Sequence, residues 1–160
     1  MEMTKTHDEN APAQYDLDTA AQAVSAILDA GGHRHAYIGG FAVSQLGGLR
    51  YTQDIDVIVD RPAEEICSEL LAANDNFVMS GAYQLKYRNR GHAASGTKDV
   101  VVELLQGGAQ QQLKLPDLST TPVYPTENGE PSTDHPSNGT RYHESESVAT
   151  YRGLNATEKY

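Results

Sequence analysis

The sequence predicts an α/β domain in which a mixed sheet is flanked by helices and followed by a largely disordered C-terminal tail. Apolar patterns of helical and strand type alternate between residues 15 and 116. Two candidate hairpin segments, near residues 77–88 and 99–115, argue against a purely parallel sheet. Residues 117–160 contain four prolines and scattered apolar side chains, which cannot offset the entropy of ordering.

These observations divide the chain into three parts. Residues 1–14 are polar and are predicted to be disordered. Residues 15–116 form the predicted core, and residues 117–160 form the polar tail, also predicted to be disordered. We therefore expect one packed domain in 160 residues.

The first half of the core contains two predicted helices and two predicted strands. Asp18 is interpreted as the N-cap of the first helix, and residues 31–32 (Gly-Gly) as its end. A strand over residues 36–38, a helix over 41–46 and a strand over 54–59 follow. The apolar residues of the first helix recur at helical spacing: Leu17, Ala20, Ala21, Val24, Ile27 and Leu28.

The second half contains one predicted helix and four predicted strands. Pro62 is expected in the first turn of the helix, and Cys67 on its buried stripe is interpreted as a small core residue. Strands are predicted over residues 77–79, 83–88, 100–105 and 110–115. Tyr83 is expected on a packed face, and His35 at the surface.

The charge and composition exclude several classes of function. The chain has 12 Lys and Arg against 22 Asp and Glu, a net charge of -10, so bulk attraction to DNA is not expected. A single cysteine excludes a disulfide framework and a cysteine-based zinc site. No apolar stretch reaches membrane-spanning length and the N-terminus lacks a signal-peptide core, so we expect a soluble, cytoplasmic protein without a membrane partner.

Two aspartates lie two residues apart on the predicted strand 54–59. Asp54 and Asp56 project from the same face, while the residues between and after them face the core. The pair either ends a strand in solvent or holds a divalent cation, which removes the repulsion between the carboxylates. Mg²⁺ suits such ligands because it prefers hard oxygen atoms and retains water molecules that phosphates can displace.

Two further features lie apart from the aspartates in the sequence. Glu103 falls within an apolar run that predicts a buried strand, where a carboxylate needs either an ion-pair partner or a metal. Gly39 and Gly40 follow a predicted strand and precede a helix, an arrangement that allows a phosphate to approach backbone N–H groups. A tight turn without a ligand is the alternative for the two glycines.

In combination these elements resemble the nucleotidyltransferase superfamily, which includes polymerase beta, the CCA-adding enzymes and the small antibiotic nucleotidyltransferases. The resemblance depends on residues 38–40 (Ile-Gly-Gly), on residues 54–56 (Asp-Ile-Asp) and on a later strand carboxylate. Residues 50–56 (Arg-Tyr-Thr-Gln-Asp-Ile-Asp) are similar to the version in abortive-infection and toxin-type nucleotidyltransferases and related fungal proteins. Residues 104–108 and 113–116 are similar to the end of that domain, so the resemblance covers roughly residues 19–124.

The resemblance implies transfer of NMP from an NTP, ATP among them, to a hydroxyl group. Asp54, Asp56 and Glu103 would be the catalytic residues and would bind two Mg²⁺ ions. Gly39 and Gly40 would hold the triphosphate. The acceptor stays open between RNA, protein and a small molecule.

For several supporting residues the sequence leaves two interpretations open. Ser44 either contacts phosphate or bonds to its own helix backbone, and Arg50 either neutralises transition-state charge or pairs with an acid. Lys86, Arg88 and Arg90 share a strand face that either receives phosphates or is a solvated edge. The whole chain is either the transferase or an inactive relative, a truncated nucleotide-binding remnant or an interaction module with the same fold.

Overall fold

A computed structural model describes residues 11–48, 51–90 and 96–121, together with the backbone of residues 124–125 and 151–152. The helices are α1 (Gln14–Ala30), α2 (Gly39–Gln45) and α3 (Ala63–Ala73). The strands are β1 (His35–Ile38), β2 (Asp54–Val59), β3 (Phe77–Gly81), β4 (Gln84–Tyr87), β5 (Val100–Gln106), β6 (Tyr124–Pro125) and β7 (Tyr151–Arg152). Apart from β6 and β7, the predicted tail beyond residue 121 lies outside the described residues.

The described strands form a five-stranded sheet in the order β1-β2-β5-β4-β3, and β6 pairs with β7 separately. Strands β2 and β5 are parallel, whereas the other three pairings of the large sheet are antiparallel. The predicted mixed sheet flanked by helices is therefore confirmed. The parallel β2–β5 pair at its centre brings together residues that are far apart in the sequence.

The inner face of the sheet forms the main core with the helices. Ile55, Val57 and Val59 of β2 are fully buried in one cluster with side chains of α1 and α3. Each such side chain contributes about 1.5–3 kcal/mol through its burial. A one-residue slip of β2 would expose all three, so this face fixes the register that places Asp54 and Asp56 outward. Cys67 lies in the same core, as predicted, and burial raises the pKa of its thiol.

A second, smaller apolar cluster covers one end of the outer face. Ile58 of β2 packs there with Ala36 of β1 and with Leu118, which is only 1% exposed. Leu118 lies just beyond residue 116, where the predicted core ends, so packing continues into the first residues of the predicted tail.

The N-cap prediction for α1 is wrong. The helix begins at Gln14 with Ala13 as its N-cap, and the Asp16 side chain accepts a hydrogen bond of 2.9 Å from the Ala13 backbone N–H. Because Asp16 closes the first turn earlier, Asp18 lies inside the helix. Its carboxylate accepts hydrogen bonds from the side-chain amides of Gln14 and Gln45.

The strand predicted over residues 110–115 is also wrong. Gly108 has φ +128°, and backbone hydrogen bonds from Gln111 to Gly108 and from Lys114 to Gln111 close successive turns. His35 is 2% exposed rather than at the surface, because Ser25 supplies a buried hydrogen-bond partner. Tyr83 is 47% exposed and donates a hydrogen bond to Glu64. No helix in the described ranges is long and apolar enough to cross a membrane.

Candidate functional site

The outer face of β2 carries Asp54 and Asp56 side by side, and both side chains are half-buried. In the parallel pairing with β5, Asp54 lies opposite Val101 and Asp56 lies opposite Glu103. Paired residues on neighbouring strands share a face. The pairing therefore brings the three predicted carboxylates onto one patch, which we call the carboxylate end of the outer face.

Glu103 reaches this patch because β5 alternates between buried and half-buried residues. The apolar run around Glu103 predicted a strand buried on both faces, but the outer side of β5 is open at Glu103. The ion-pair alternative has no support among the described residues, whose ion pairs do not include Glu103. Glu103 therefore faces Asp56 without a described cationic partner.

This arrangement changes the ionisation of the Asp56 side chain. Burial, then the negative charges of Asp54 and Glu103, and a hydrogen bond with Glu103 raise the pKa of Asp56 from 3.8 to about 6. A bound cation would reverse these charge effects and favour the ionised form. The patch is thus arranged so that its carboxylates repel one another unless positive charge lies between them.

The two glycines at the start of α2 pack directly against the carboxylate end. Gly39 has φ +69°, and a β-carbon at this position would lie 2.7 Å from Asp56 Oδ2. A β-carbon on Gly40 would lie 2.7 Å from the Thr52 β-carbon. A side chain at either position would force its neighbour to shift, and the positive φ of Gly39 adds backbone strain, so glycine suits both positions.

Thr52 links the second glycine to the first aspartate. Its hydroxyl donates to Asp54 Oδ1 at 2.9 Å and lies 3.1 Å from the Asp54 carbonyl oxygen. Thr52 thus orients the turn before Asp54. The two glycines, Thr52 and the aspartates form one packed unit at the junction of β1, α2 and β2.

The donor chemistry of the patch fits a hard divalent cation. Asp54, Asp56 and Glu103 offer only carboxylate oxygen atoms, the ligands that Mg²⁺ prefers. Within the described ranges, no three His, Cys, Asp or Glu side chains are already gathered closely enough to form a metal site. The carboxylates are therefore neighbours on one face whose side chains would have to converge around an ion.

The supporting residues divide between the predicted alternatives. The Ser44 hydroxyl donates to the Phe41 carbonyl oxygen at 2.7 Å, which is the helix-internal alternative, so its phosphate role stays a prediction. Arg50 lies outside the described residues. Lys86 lies on the outer face in register with Val101, next to the carboxylate end, whereas Arg88 is exposed beyond the end of β4.

Sequence reasoning missed three residues beside the site. Thr97 and Lys98 line a cleft that also includes Asp54, and the side chain of Asn89 donates a hydrogen bond of 3.1 Å to the Lys98 carbonyl oxygen. These residues lie in segments without periodicity, so no pattern distinguishes them. The one signal in the sequence was that Asn89 follows a strand closely. An asparagine in that position does not indicate which distant residues it bonds to.

Comparisons with known proteins support the fold. No protein-family model matches the chain, and no curated protein matches it significantly. A crystal structure of an antigenic nucleotidyltransferase-like protein from Paracoccidioides brasiliensis is similar, with a TM-score of 0.50 and 19% sequence identity. The similarity covers 59% of this chain and 48% of that one, so the chain spans about half the length of this neighbour. The likeness shows a nucleotidyltransferase-like fold.

Proposed function

We propose that this chain is a metal-dependent nucleotidyltransferase that transfers NMP from an NTP to a hydroxyl group of an acceptor. The observation that carries the proposal is the grouping of Asp54, Asp56 and Glu103 on one sheet face against the glycine turn. The nucleotidyltransferase-like fold supports it independently. The raised pKa of Asp56 adds an electrostatic reason for a cation at this place.

The residues of the site would have three roles: to hold the metal, to orient Asp54 and to bind the triphosphate. Asp54, Asp56 and Glu103 would hold Mg²⁺, which when bound neutralises phosphate charge and lowers the pKa of the acceptor hydroxyl. Thr52 keeps Asp54 in a fixed orientation through its hydrogen bond. Gly39 carries no side chain against Asp56, and the backbone of this turn would bind the triphosphate.

The transfer itself exchanges one phosphorus–oxygen bond for another. The acceptor oxygen forms a bond to the α-phosphorus, and the bond from that phosphorus to the bridging oxygen breaks. Pyrophosphate leaves with the electron pair of the broken bond. Glu103 would accept the hydroxyl proton, because its carboxylate lies on the same face as both aspartates.

A second candidate is an inactive relative that binds nucleotide without transferring it. The observation that favours it is the absence of a preformed group of three metal ligands in the described part of the chain. Such a protein would bind ATP with Mg²⁺ but release no pyrophosphate. An interaction module with the same fold would bind no nucleotide.

Two measurements on the full chain separate these functions. Calorimetry with ATP, with and without Mg²⁺, measures binding; incubation with α-labelled NTP and cell extract measures label transfer and pyrophosphate release. The proposal predicts Mg²⁺-dependent binding and transfer that Asp54→Asn abolishes and Asp75→Asn, which removes an exposed carboxylate elsewhere, preserves. Transfer by Asp54→Asn at the rate of the unmodified chain would refute the assignment.

A further inference from the structure

An open cleft of about 680 Å³ lies beside the carboxylate end. Gly39 packs against Asp56 from the β1 side, whereas the cleft extends from Asp54 towards β4, on the other side. The site therefore has two chemically different flanks. The charged residues that line the cleft are Lys86, Lys98, Asp54 and the exposed Asp99.

This cleft contains two lysines, which the carboxylate end lacks. Lys86 and Lys98 are both half-buried, and neither forms an ion pair with a carboxylate of the described residues. An ammonium group without an ion-pair partner can form charge-assisted hydrogen bonds to an anion. The two lysines are therefore suited to an anionic group that enters the cleft.

Hydrogen bonds hold the segment that carries Lys98 in place at the side of the cleft. The Asn89 side chain donates hydrogen bonds to the Lys98 carbonyl oxygen at 3.1 Å and to Asp16 Oδ1 at 3.2 Å. The Thr97 hydroxyl donates to the Asn89 carbonyl oxygen at 3.0 Å. Because Asp16 is buried at the start of α1, these bonds tie the segment before β5 to the helix layer.

The spacing of the strands sets the size of a ligand that spans the site. Asp54, Val101 and Lys86 occupy one row across β2, β5 and β4, so the outer two backbones are roughly 10 Å apart at ~4.8 Å per strand. The side chain of Lys86 extends from β4 over part of this distance, so a ligand has to span only the remainder. A molecule with an anion at Lys86 and a hydroxyl at the carboxylates needs the dimensions of a phosphorylated sugar.

We infer that this cleft binds the acceptor, and that the acceptor is a small hydroxyl compound that carries a phosphate group. The role as acceptor rests on the proposed function, but recognition of the phosphate by the lysines does not require metal. A long nucleic acid is a poor fit, because a chain of net charge -10 offers two lysines here and repels the rest of a polyanion.

The test uses the full chain in EDTA and ribose 5-phosphate as the probe, with binding followed by calorimetry. We expect wild type to bind ribose 5-phosphate saturably and not to bind ribose. The double variant Lys86→Gln/Lys98→Gln binds the probe at least about tenfold more weakly, because both charge-assisted contacts are lost. Lys114→Gln removes an exposed lysine that does not line the cleft and leaves the affinity within about twofold.

Three outcomes would overturn the inference. They are absence of saturable binding by wild type, equal affinity of wild type and the double variant, and much tighter, lysine-dependent binding of a short single-stranded RNA. Binding of Mg²⁺–ATP is measured on the same protein preparations after the EDTA has been removed. Loss of probe binding alone refutes the acceptor inference, whereas failure to bind Mg²⁺–ATP alone refutes the proposed function.

Discussion

The outer face of β2 has two ends that differ in almost every physical respect. Asp54 and Asp56 at one end are charged and half-buried, and the structure leaves them open. Ile58, on the same face, is fully buried at the other end, which we call the covered end, beneath Leu118. One strand thus changes from a polar surface to a dry interface within five residues, 54 to 58.

The covered end contributes stability, whereas the carboxylate end would, under the proposed function, carry the chemistry. At the covered end, apolar side chains meet and gain free energy from burial. At the carboxylate end, three acids repel one another and burial raises the pKa of Asp56, so folding without a cation is opposed there. Substitutions at the two ends should therefore have opposite effects on stability and activity.

The largest effect is expected at Asp54. Asp54→Asn should lower label transfer by about a thousandfold, which corresponds to about 4 kcal/mol of transition-state stabilisation, because a charged metal ligand becomes neutral. The rate of NMP transfer under saturating Mg²⁺ measures this, with Asp75→Asn as the matched control. A loss below about tenfold would mean that Asp54 does not hold the catalytic cation.

The next effect concerns the covered end. Leu118→Ala should lower the free energy of unfolding by about 2–4 kcal/mol, because it leaves a cavity above Ile58. Urea denaturation measures the loss, while transfer per folded molecule should stay within about twofold. An unfolding free energy like that of wild type would show that Leu118 does not seal this end in solution.

A smaller effect is expected at the glycine turn. Gly39→Ala should lower the unfolding free energy by about 2 kcal/mol, since the new β-carbon meets Asp56 and φ is +69°. Gly32→Ala is the matched control, because Gly32 has φ +71° with nothing within 4 Å of the added β-carbon. The control should lose only about 1 kcal/mol. Equal losses in the two variants would argue against contact between Gly39 and Asp56.

The smallest effect is a gain in stability without metal. The pKa of Asp56 is about 6 in the folded chain against 3.8 ordinarily, so the folded state binds more protons and loses stability as the pH rises from about 4 to 6. In EDTA at pH 7, Asp56→Asn should raise the unfolding free energy by about 1 kcal/mol after allowance for solvent screening. The gain should vanish near pH 3.5. A gain of the same size at pH 7 and pH 3.5 would show that it does not come from the ionisation of Asp56.

Local sequence pattern predicted β2 itself, whereas the grouping of Glu103 and the glycines with its aspartates was predicted only through the family resemblance. The two-residue period of Asp54 and Asp56 follows from strand geometry, so their common face could be predicted. That Glu103 faces Asp56 depends on the β2–β5 pairing, which joins residues far apart in the chain. Leu118 stands alone in a proline-rich segment, so no periodicity marks it as buried.

The loops and the buried polar residues were harder to predict for a related reason. Lys98 has no repeat that indicates its position, since it is fixed by a hydrogen bond to Asn89. His35 looks like a surface residue until Ser25 and Tyr37 form a buried hydrogen-bonded group around it. Such contacts arise from packing between distant elements, and local sequence carries little information about them.

The proposed function requires a divalent cation to bind between the carboxylates of Asp54, Asp56 and Glu103. Paramagnetic broadening of backbone amide signals by substoichiometric Mn²⁺ tests it directly. We expect the signals of Gly39, Asp56 and Glu103 to broaden before those of α3 on the other face of the sheet, and Asp54→Asn to weaken the effect. Broadening that begins elsewhere, or that Asp54→Asn leaves unchanged, would contradict the claim.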